Sequence, residues 1–195
     1  MRIFLKKILG WALIPAVLSC SFYGFAEKRE EAGEYELKGA FMVKFFPFIT
    51  WPKKIFSNPK TPIVIGIIGK DFFGSKFTKM IADKNKLIDK WKFVIERFKQ
   101  NAPITVLQGC HFLFISSSIA RNDMKKIIDS LKDHPVATFG DVKGFCSLGG
   151  IINLVIIKEK LKFEINKGAA DRLGIRFHSQ LLKLAINLSG EKYDK

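Results

Sequence analysis

The stretch of sequence that decides the fold runs from Gly149 to Ala185 and reads GGIINLVIIKEKLKFEINKGAADRLGIRFHSQLLKLA. It begins with an apolar run, Ile151 to Ile157, which is followed by the polar residues 158–160. Apolar and charged residues then alternate as far as Ile165. An apolar run followed by such an alternation predicts a β-hairpin in which one strand faces water on one side.

Two helices are predicted after this hairpin. Ala169-Ala170 opens a helical turn, and Gly174 stops it. Ser179 is a residue type that caps helix N-termini, so it predicts the start of a C-terminal helix. The apolar positions of that helix are Leu181, Leu182, Leu184, Ala185 and Leu188.

Strands and short helices alternate upstream of this stretch. The alternation predicts an α/β fold with a mostly parallel, doubly wound sheet of the flavodoxin-like or Rossmann-like kind. The hairpin and the C-terminal helix are added at one side of it. The predicted strands are 63–68, 91–96, 111–115 and 136–139, and the predicted helices are 35–49, 73–82 and 123–131.

The first predicted helix is rich in aromatic residues. One face of it is expected to lie in the core. Phe46 and Trp51, with Pro52 beside them, are left over once that face is buried. They would form a patch for a partner protein or for a second copy of the chain, and burial in the core is the alternative. The residues of the inward face are Leu37, Ala40, Phe41, Phe45 and Phe48.

The first 26 residues have the layout of an export signal, with a basic start and an uncharged stretch over 8–26. Residues 17–20 approximate a lipobox, in which Cys20 becomes the lipid-bearing first residue, whereas Ala26 fits ordinary cleavage. An uncleaved membrane anchor is a third possibility, because the uncharged stretch is just long enough to span a bilayer. Residues 27–34 are then a short tether, and 35–190 form a single domain.

The chain is strongly basic, with a formal net charge of +15. Its lysines are scattered singly among strands and helices, whereas nucleic-acid-binding proteins collect them in an arm or a recognition helix. We therefore predict no binding to nucleic acid. The charge is explained by lysines on solvent-exposed faces of strands and helices, together with attraction to an anionic membrane surface or an acidic partner.

Polar residues follow several of the predicted parallel strands. Lys70 and Asp71 come after one strand, and Ser116, Ser117 and Ser118 come after another. Ligands of open parallel sheets bind at the carboxyl ends of the strands, so these residues are candidates for holding a small anion. A plain loop cap explains the three serines as well.

Arg176 and His178 form a second candidate ligand site. In an extended segment the two side chains point the same way, and they immediately precede the helix that Ser179 is expected to cap. Two donors and a helix N-terminus suit a carboxylate or a phosphate. A surface arginine beside a half-buried histidine is the alternative.

Neither an enzyme site nor a cofactor site is indicated. The glycine spacings of dinucleotide-binding and phosphate-binding loops are absent, so no nucleotide cofactor is expected. The turn over 144–149 lacks the spacing of a nucleophile elbow, and a strand follows it where the elbow needs a helix. His111 and His134 are not spaced with a cysteine or a carboxylate as metal ligands are, so no metal site is expected.

Cys110 and Cys146 are the cysteines that remain after the export signal. Cys110 precedes one parallel strand, whereas Cys146 follows the carboxyl end of the next. The two should therefore lie at opposite edges of the sheet, too far apart for a bond. We expect two free thiols and regard a Cys110–Cys146 disulfide as doubtful.

Three blocks of sequence together resemble the YfiR family. They are residues 37–52, which read LKGAFMVKFFPFITWP, residues 110–115, which read CHFLFI, and the hairpin and helices that follow Gly149. Members of that family are small exported proteins, best known as periplasmic repressors of inner-membrane diguanylate cyclases. Some members use disulfides for redox control, but this chain lacks their fuller set of cysteines.

The resemblance implies a periplasmic regulator that acts by binding and not by catalysis. Its partner would be the periplasmic sensor region of a membrane-bound diguanylate cyclase, which it would repress, and a homodimer and a lipid anchor at Cys20 are compatible with it. The alternative function is a periplasmic small-molecule-binding component of a transport or receptor system.

Overall fold

The computed structural model describes residues 33–56, 61–87 and 91–186. The predicted export signal, Cys20 and Leu188 lie outside the described residues, as does most of the predicted tether. Gly33 and Glu34, which the sequence assigned to the tether, already belong to a helix.

The chain alternates between helices and strands. The helices are α1 (33–45), α2 (Gly74–Leu87), α3 (Ile104–Leu107), α4 (Arg121–Ser130), α5 (Lys167–Arg172) and α6 (Ser179–Leu184). The strands are β1 (Ile49–Thr50), β2 (Ile63–Ile68), β3 (Phe93–Phe98), β4 (Phe112–Ile115), β5 (Ala137–Gly140), β6 (Ile152–Ile157), β7 (Lys160–Ile165) and β8 (Arg176–Phe177). Short 3-10 turns cover Phe46–Phe48, Lys53–Phe56 and Cys146–Leu148.

Six strands form the main sheet, in the order β3-β2-β4-β5-β6-β7. Strands β2 to β6 are parallel, and β7 is antiparallel to β6. The chain builds outward from β2 to β3 and then crosses to β4, so the direction of winding switches between β2 and β4. This is the flavodoxin-like order of a doubly wound sheet. The predicted fold class is therefore confirmed.

The hairpin of β6 and β7 closes as the sequence predicted. Two residues, Lys158 and Glu159, form its turn, and both have positive φ angles, of 48° and 60°. Successive positive φ values match the right-handed twist of the flanking strands. The base of the hairpin, where Ile152 faces Ile165, is buried, whereas the strand ends next to the turn are more exposed.

The sheet is covered on both faces. On one face α1 and α2 pack over Phe112, Phe114 and Phe139. On the other face α3 and α4 pack over Leu113 and Ile115. Successive residues of β4 thus point to opposite layers, which is why this strand is apolar throughout.

Helix α1 buries only part of the predicted face. Phe45 is buried as predicted, but Leu37 is 44% exposed and Phe41 is only half-buried. Tyr35 and Met42, which lie outside the predicted face, are buried as well. Periodicity alone could not show this, because the Tyr35 ring packs against those of Phe73 and Phe114, which are distant in sequence.

The prediction that Phe46 and Trp51 are left over from the core is wrong. Trp51 is only 6% exposed, and the half-buried Phe46 ring packs 5.5 Å from the rings of Trp51 and Trp91. The cause is a two-stranded antiparallel sheet of β1 and β8, in which Ile49 faces Phe177. This pairing folds the segment after α1 back onto the protein, where Pro52 is half-buried.

Candidate functional site

The carboxyl ends of the central parallel strands carry a group of polar side chains. The loop that starts at Gly69 follows β2, Ser116 follows β4, and Asp141 follows β5. The first turns of α1 lie across this edge, because the Tyr35 hydroxyl reaches Asp141. This edge includes the switch point between β2 and β4, where ligands of doubly wound sheets bind.

The structure brings the predicted serine and lysine loops together. The Ser118 Oγ accepts a hydrogen bond of 2.9 Å from the backbone N–H of Lys70 and lies 3.0 Å from the Ser116 Oγ. Ser116 is completely buried, whereas Ser117 is exposed. Two of the three serine hydroxyls thus tie one loop to the other, as a loop cap does. Anion binding at these residues stays a prediction.

Asp71 also has partners within the chain. Its Oδ1 accepts hydrogen bonds of 2.8 Å and 3.2 Å from the backbone N–H groups of Phe73 and Gly74, so it caps the start of α2. Its Oδ2 accepts a hydrogen bond of 2.6 Å from the Arg97 Nε. The Lys70 ammonium lies 4.4 Å from the centre of the Phe72 ring.

Asp141, which the sequence places at the carboxyl end of a strand, is the centre of a buried polar cluster whose other members sequence reasoning did not identify. Its Oδ2 accepts two hydrogen bonds, one of 2.7 Å from the Lys38 ammonium and one of 2.6 Å from the Tyr35 hydroxyl. The side chains of Lys38 and Asp141 are 3% and 2% exposed. Lys38 also contacts the carboxylate of Glu34, one helical turn earlier. The signal in the sequence was a lysine three residues after a tyrosine on one face of an apolar helix.

The two oxygens of Asp141 are used unequally. The Oδ1 is buried and has no hydrogen-bond partner in the part of the chain that the structure describes. The Tyr35 hydroxyl stays protonated, because burial raises the pKa of this phenol well above its usual range and the hydrogen bond to Asp141 raises it further. Tyr35 therefore acts as a donor to the carboxylate.

Aromatic rings surround this cluster. The ring of Tyr35 stacks on that of Phe72 at 4.9 Å and meets those of Phe73 and Phe114 edge-on. The Lys38 ammonium lies 4.2 Å from the centre of the Tyr35 ring. A cation at this distance from an aromatic face is attracted by the ring quadrupole. The cluster thus combines the carboxylates of Asp141 and Glu34 with the face of the Tyr35 ring.

Arg176 and His178 lie at the opposite end of α1. The His178 backbone N–H donates a hydrogen bond of 2.8 Å to the carbonyl oxygen of Phe48, which follows that helix. The side chains of Arg176 and His178 are both exposed. The predicted site residues therefore fall into two groups, one at each end of α1.

The prediction that Ser179 caps the last helix is wrong. The chain is still extended at His178, with φ −64° and ψ 141°, so His178 is the capping residue and Ser179 is the first helical residue. The His178 Nδ1 accepts a hydrogen bond of 3.4 Å from the backbone N–H of Gln180. Helix α6 has only six described residues, Ser179–Leu184.

Cys110 and Cys146 are free thiols, the first buried and the second half-buried. Burial raises the pKa of each thiol to about 12. Within residues 33–56, 61–87 and 91–186, no group of three histidine, cysteine, aspartate or glutamate residues could hold a metal ion. None of the helices that the structure describes is long and apolar enough to cross a membrane.

Two solved structures share a distant similarity with the chain. A conserved domain protein from Vibrio cholerae O1 biovar El Tor is 17% identical, with a TM-score of 0.46, and the match covers 68% of this chain and 56% of that one. An ABC domain in complex with L-Trp from Streptococcus pneumonia is also 17% identical, with a TM-score of 0.45, and the match covers 63% and 54% of the two chains. The chain thus spans little more than half the length of either protein.

No curated protein matches the chain. A family profile described as YfiR/HmsC-like matches residues 35–186. The match begins at Tyr35 in α1, includes every strand of both sheets and ends just after α6. It covers well over half of the sequence and confirms the resemblance seen in the residues. The chain therefore belongs to the YfiR/HmsC-like family.

Proposed function

We propose that this protein binds the periplasmic sensor region of a membrane-bound diguanylate cyclase and represses it. The observation that carries the proposal is the family match over residues 35–186. Membership of this family supports a periplasmic regulator of diguanylate cyclase signalling in general. Direct binding to the sensor region and repression of the enzyme are the finer steps that we propose.

The mechanism is a shift of population. A regulator of this kind binds the inactive arrangement of the sensor more tightly than the active one, so its binding moves the cyclase toward the inactive state. A shift of about tenfold in the ratio of inactive to active sensor needs a difference of roughly 1.4 kcal/mol between the two binding free energies. An envelope signal relieves repression by weakening the complex between the regulator and the inactive sensor.

The charge of the chain supports a partner with an acidic surface. Lysine and arginine number 33, against 18 aspartate and glutamate residues. Opposite charges across an interface accelerate association, and added salt slows it again. The association rate between this protein and the sensor region should therefore fall as ionic strength rises.

A signal ligand is proposed at Arg176 and His178. Both side chains are exposed and stand two residues apart, from strand β8 to the cap of α6. This placement gives a small anion access to a guanidinium group and an imidazole together. Binding there would report an envelope signal without catalysis by the protein.

The test is the level of cyclic di-GMP in cells that lack the gene. We expect the level to rise on deletion and to return when the exported protein is supplied. A matched control is the same protein without residues 1–26, which should stay in the cytoplasm and fail to repress. Unchanged levels in the deletion strain, with the cyclases shown to be expressed, would contradict the proposal.

Binding is tested separately with purified proteins. The periplasmic sensor region of a cyclase from the same cell is immobilised, and association with this protein is followed at low and at high salt. A specific complex whose association slows with salt is the expected result. Repression in cells without any complex in solution would mean that the protein acts through an intermediate partner.

A further inference from the structure

We propose that Asp141 is the receptor of a binding site for a primary ammonium group, and that Lys38 of the chain itself occupies this site in the structure. The inference goes beyond the proposed function and does not depend on it. It rests on the position of Asp141, on its unused oxygen and on the charge of its surroundings.

The position lies one strand from the switch point between β2 and β4, where doubly wound sheets bind ligands. Asp141 directly follows β5, and the Tyr35 hydroxyl that binds it lies 3.5 Å from the Ser117 Oγ, in the loop after β4. In this topology the crevice at the carboxyl ends of the strands is normally left for a ligand. Here the side chains of α1 enter it, so the chain fills its own crevice.

The Asp141 carboxylate can accept more hydrogen bonds than the described residues donate to it. Both of its donors, Lys38 and Tyr35, bind the same oxygen. The other oxygen is buried in a side chain that is 2% exposed, and no described residue donates to it. A buried acceptor without a donor is costly. An ammonium group with three N–H donors could bind both oxygens at once.

The local charge favours a second cation. Lys38 is in contact with two carboxylates, those of Glu34 and Asp141, so one positive charge faces two negative charges. The Tyr35 ring, whose centre lies 4.2 Å from the Lys38 ammonium, adds an aromatic face that attracts a cation. The site therefore suits an ammonium group on a short apolar chain, which is what the lysine side chain offers.

Occupation by an external amine has a structural consequence. Lys38 lies close to the start of α1, as described from residue 33, and Glu34 is already 36% exposed. Helix ends open more readily than helix centres. An amine that replaces Lys38 would release the first described turns of α1.

The test uses Lys38→Met, which removes the ammonium group and keeps an unbranched side chain. The probe is n-propylammonium, and the matched control is tetramethylammonium at the same concentration, which has the same charge but no N–H donor. We expect n-propylammonium to raise the melting temperature of this variant by about 3 °C, and tetramethylammonium to leave it unchanged. The double variant Lys38→Met/Asp141→Asn should respond to neither.

Equal responses to the two cations, or an equal response of the double variant, would overturn the proposal. Should Lys38→Met fail to fold, the unaltered protein gives a second readout. Hydrogen exchange at the amides of residues 37–42 should rise several-fold with n-propylammonium and not with tetramethylammonium, while β4 stays protected. An unchanged exchange pattern at saturating amine would also overturn it.

Two sources could supply the ammonium group, a free amine or a lysine side chain of a partner protein. N-acetyl-lysine amide distinguishes these two sources, because it presents its ammonium group on a lysine side chain attached to a peptide-like backbone. A response to n-propylammonium alone assigns the site to free amines. A response to both means that a lysine side chain can enter it as well.

Discussion

The charged groups of Lys38 and Asp141 lie 2.7 Å apart although the two residues are 103 positions apart in the sequence. Both side chains are almost fully buried, with exposures of 3% and 2%. A buried ion pair gains little over apolar packing, but loss of one partner leaves a charge without compensation. The pair therefore fixes where α1 docks on the sheet, because any other placement of this helix would leave both charges without a partner.

Removal of the lysine charge should destabilise the protein strongly. We expect Lys38→Met to lower the free energy of unfolding by about 3–5 kcal/mol, because Asp141 is left buried with Tyr35 as its remaining donor. Urea unfolding measures the change. The matched control is Lys76→Met: Lys76 pairs with Glu36 at the surface, and its loss should cost less than about 1 kcal/mol. Equal costs for the two variants would contradict the role of the buried pair.

His111 should make the protein less stable in mild acid. Burial lowers the pKa of this imidazole, whose Nδ1 accepts a hydrogen bond from the backbone N–H of Val64. The folded state thus binds a proton less readily than the unfolded state, whose pKa is about 6.5. The stability that His111 contributes is present above that pH and is lost as the pH falls through the lowered folded pKa.

Urea unfolding at about pH 7.5 and about pH 5.5 tests this dependence. The unaltered protein should lose stability between these two conditions, and His111→Gln should lose less of it. His178→Gln is the matched control, because His178 is exposed. If His111→Gln lost as much stability between the two pH values as the unaltered protein, other groups would be the cause of the pH dependence.

The two described cysteines should resist alkylation in the folded protein. A pKa of about 12 lowers the thiolate fraction at neutral pH by roughly a thousandfold relative to an ordinary thiol. Iodoacetamide followed by peptide mass spectrometry should therefore label Cys110 and Cys146 slowly in buffer and rapidly in urea. Fast labelling of either cysteine in buffer would mean that its thiol is reached without unfolding.

Arg176 and His178 can be tested for ligand binding without damage to the fold. Both side chains are exposed, but His178 caps α6, so Arg176→Ala is combined with His178→Asn, which keeps a capping side chain, and the melting temperature should stay nearly unchanged. Binding of inorganic phosphate, measured by calorimetry, should weaken at least about tenfold in the double variant. Unchanged phosphate binding together with unchanged repression in cells would remove these residues from the proposed mechanism.

The main sheet could be predicted because its signals are local. The hairpin is visible in the change from an apolar run to alternation on either side of Lys158-Glu159, and the parallel strands are short apolar runs separated by helical patterns. Strand β4, for example, is apolar on both faces because both faces are covered. These features depend on neighbours in the sequence, so one sequence is enough to find them.

The features that escaped prediction depend on distant partners. Tyr35 in α1 is buried because its ring packs against those of Phe73 and Phe114, which lie later in the chain. The pairing of β1 with β8 buries Trp51, yet each of these strands has only two residues and therefore gives no periodic signal. The Asp141 cluster escaped for the same reason, since its donors and its acceptor are brought together only by the finished fold.

The pairing of Ile49 with Phe177 also bears on the order of assembly. Helix α1 and strand β1 come first in the described chain, but ring partners of Phe45 in α1 lie on β5 and β7, and the strand that pairs with β1 is β8. Contacts between residues so far apart form slowly, because a long loop must be closed before any contact is gained. A chain that emerges from the ribosome, N-terminus first, thus cannot complete this domain until nearly all of it has been made. Where an export signal of the predicted kind acts, such late completion keeps a chain unfolded while it crosses the membrane.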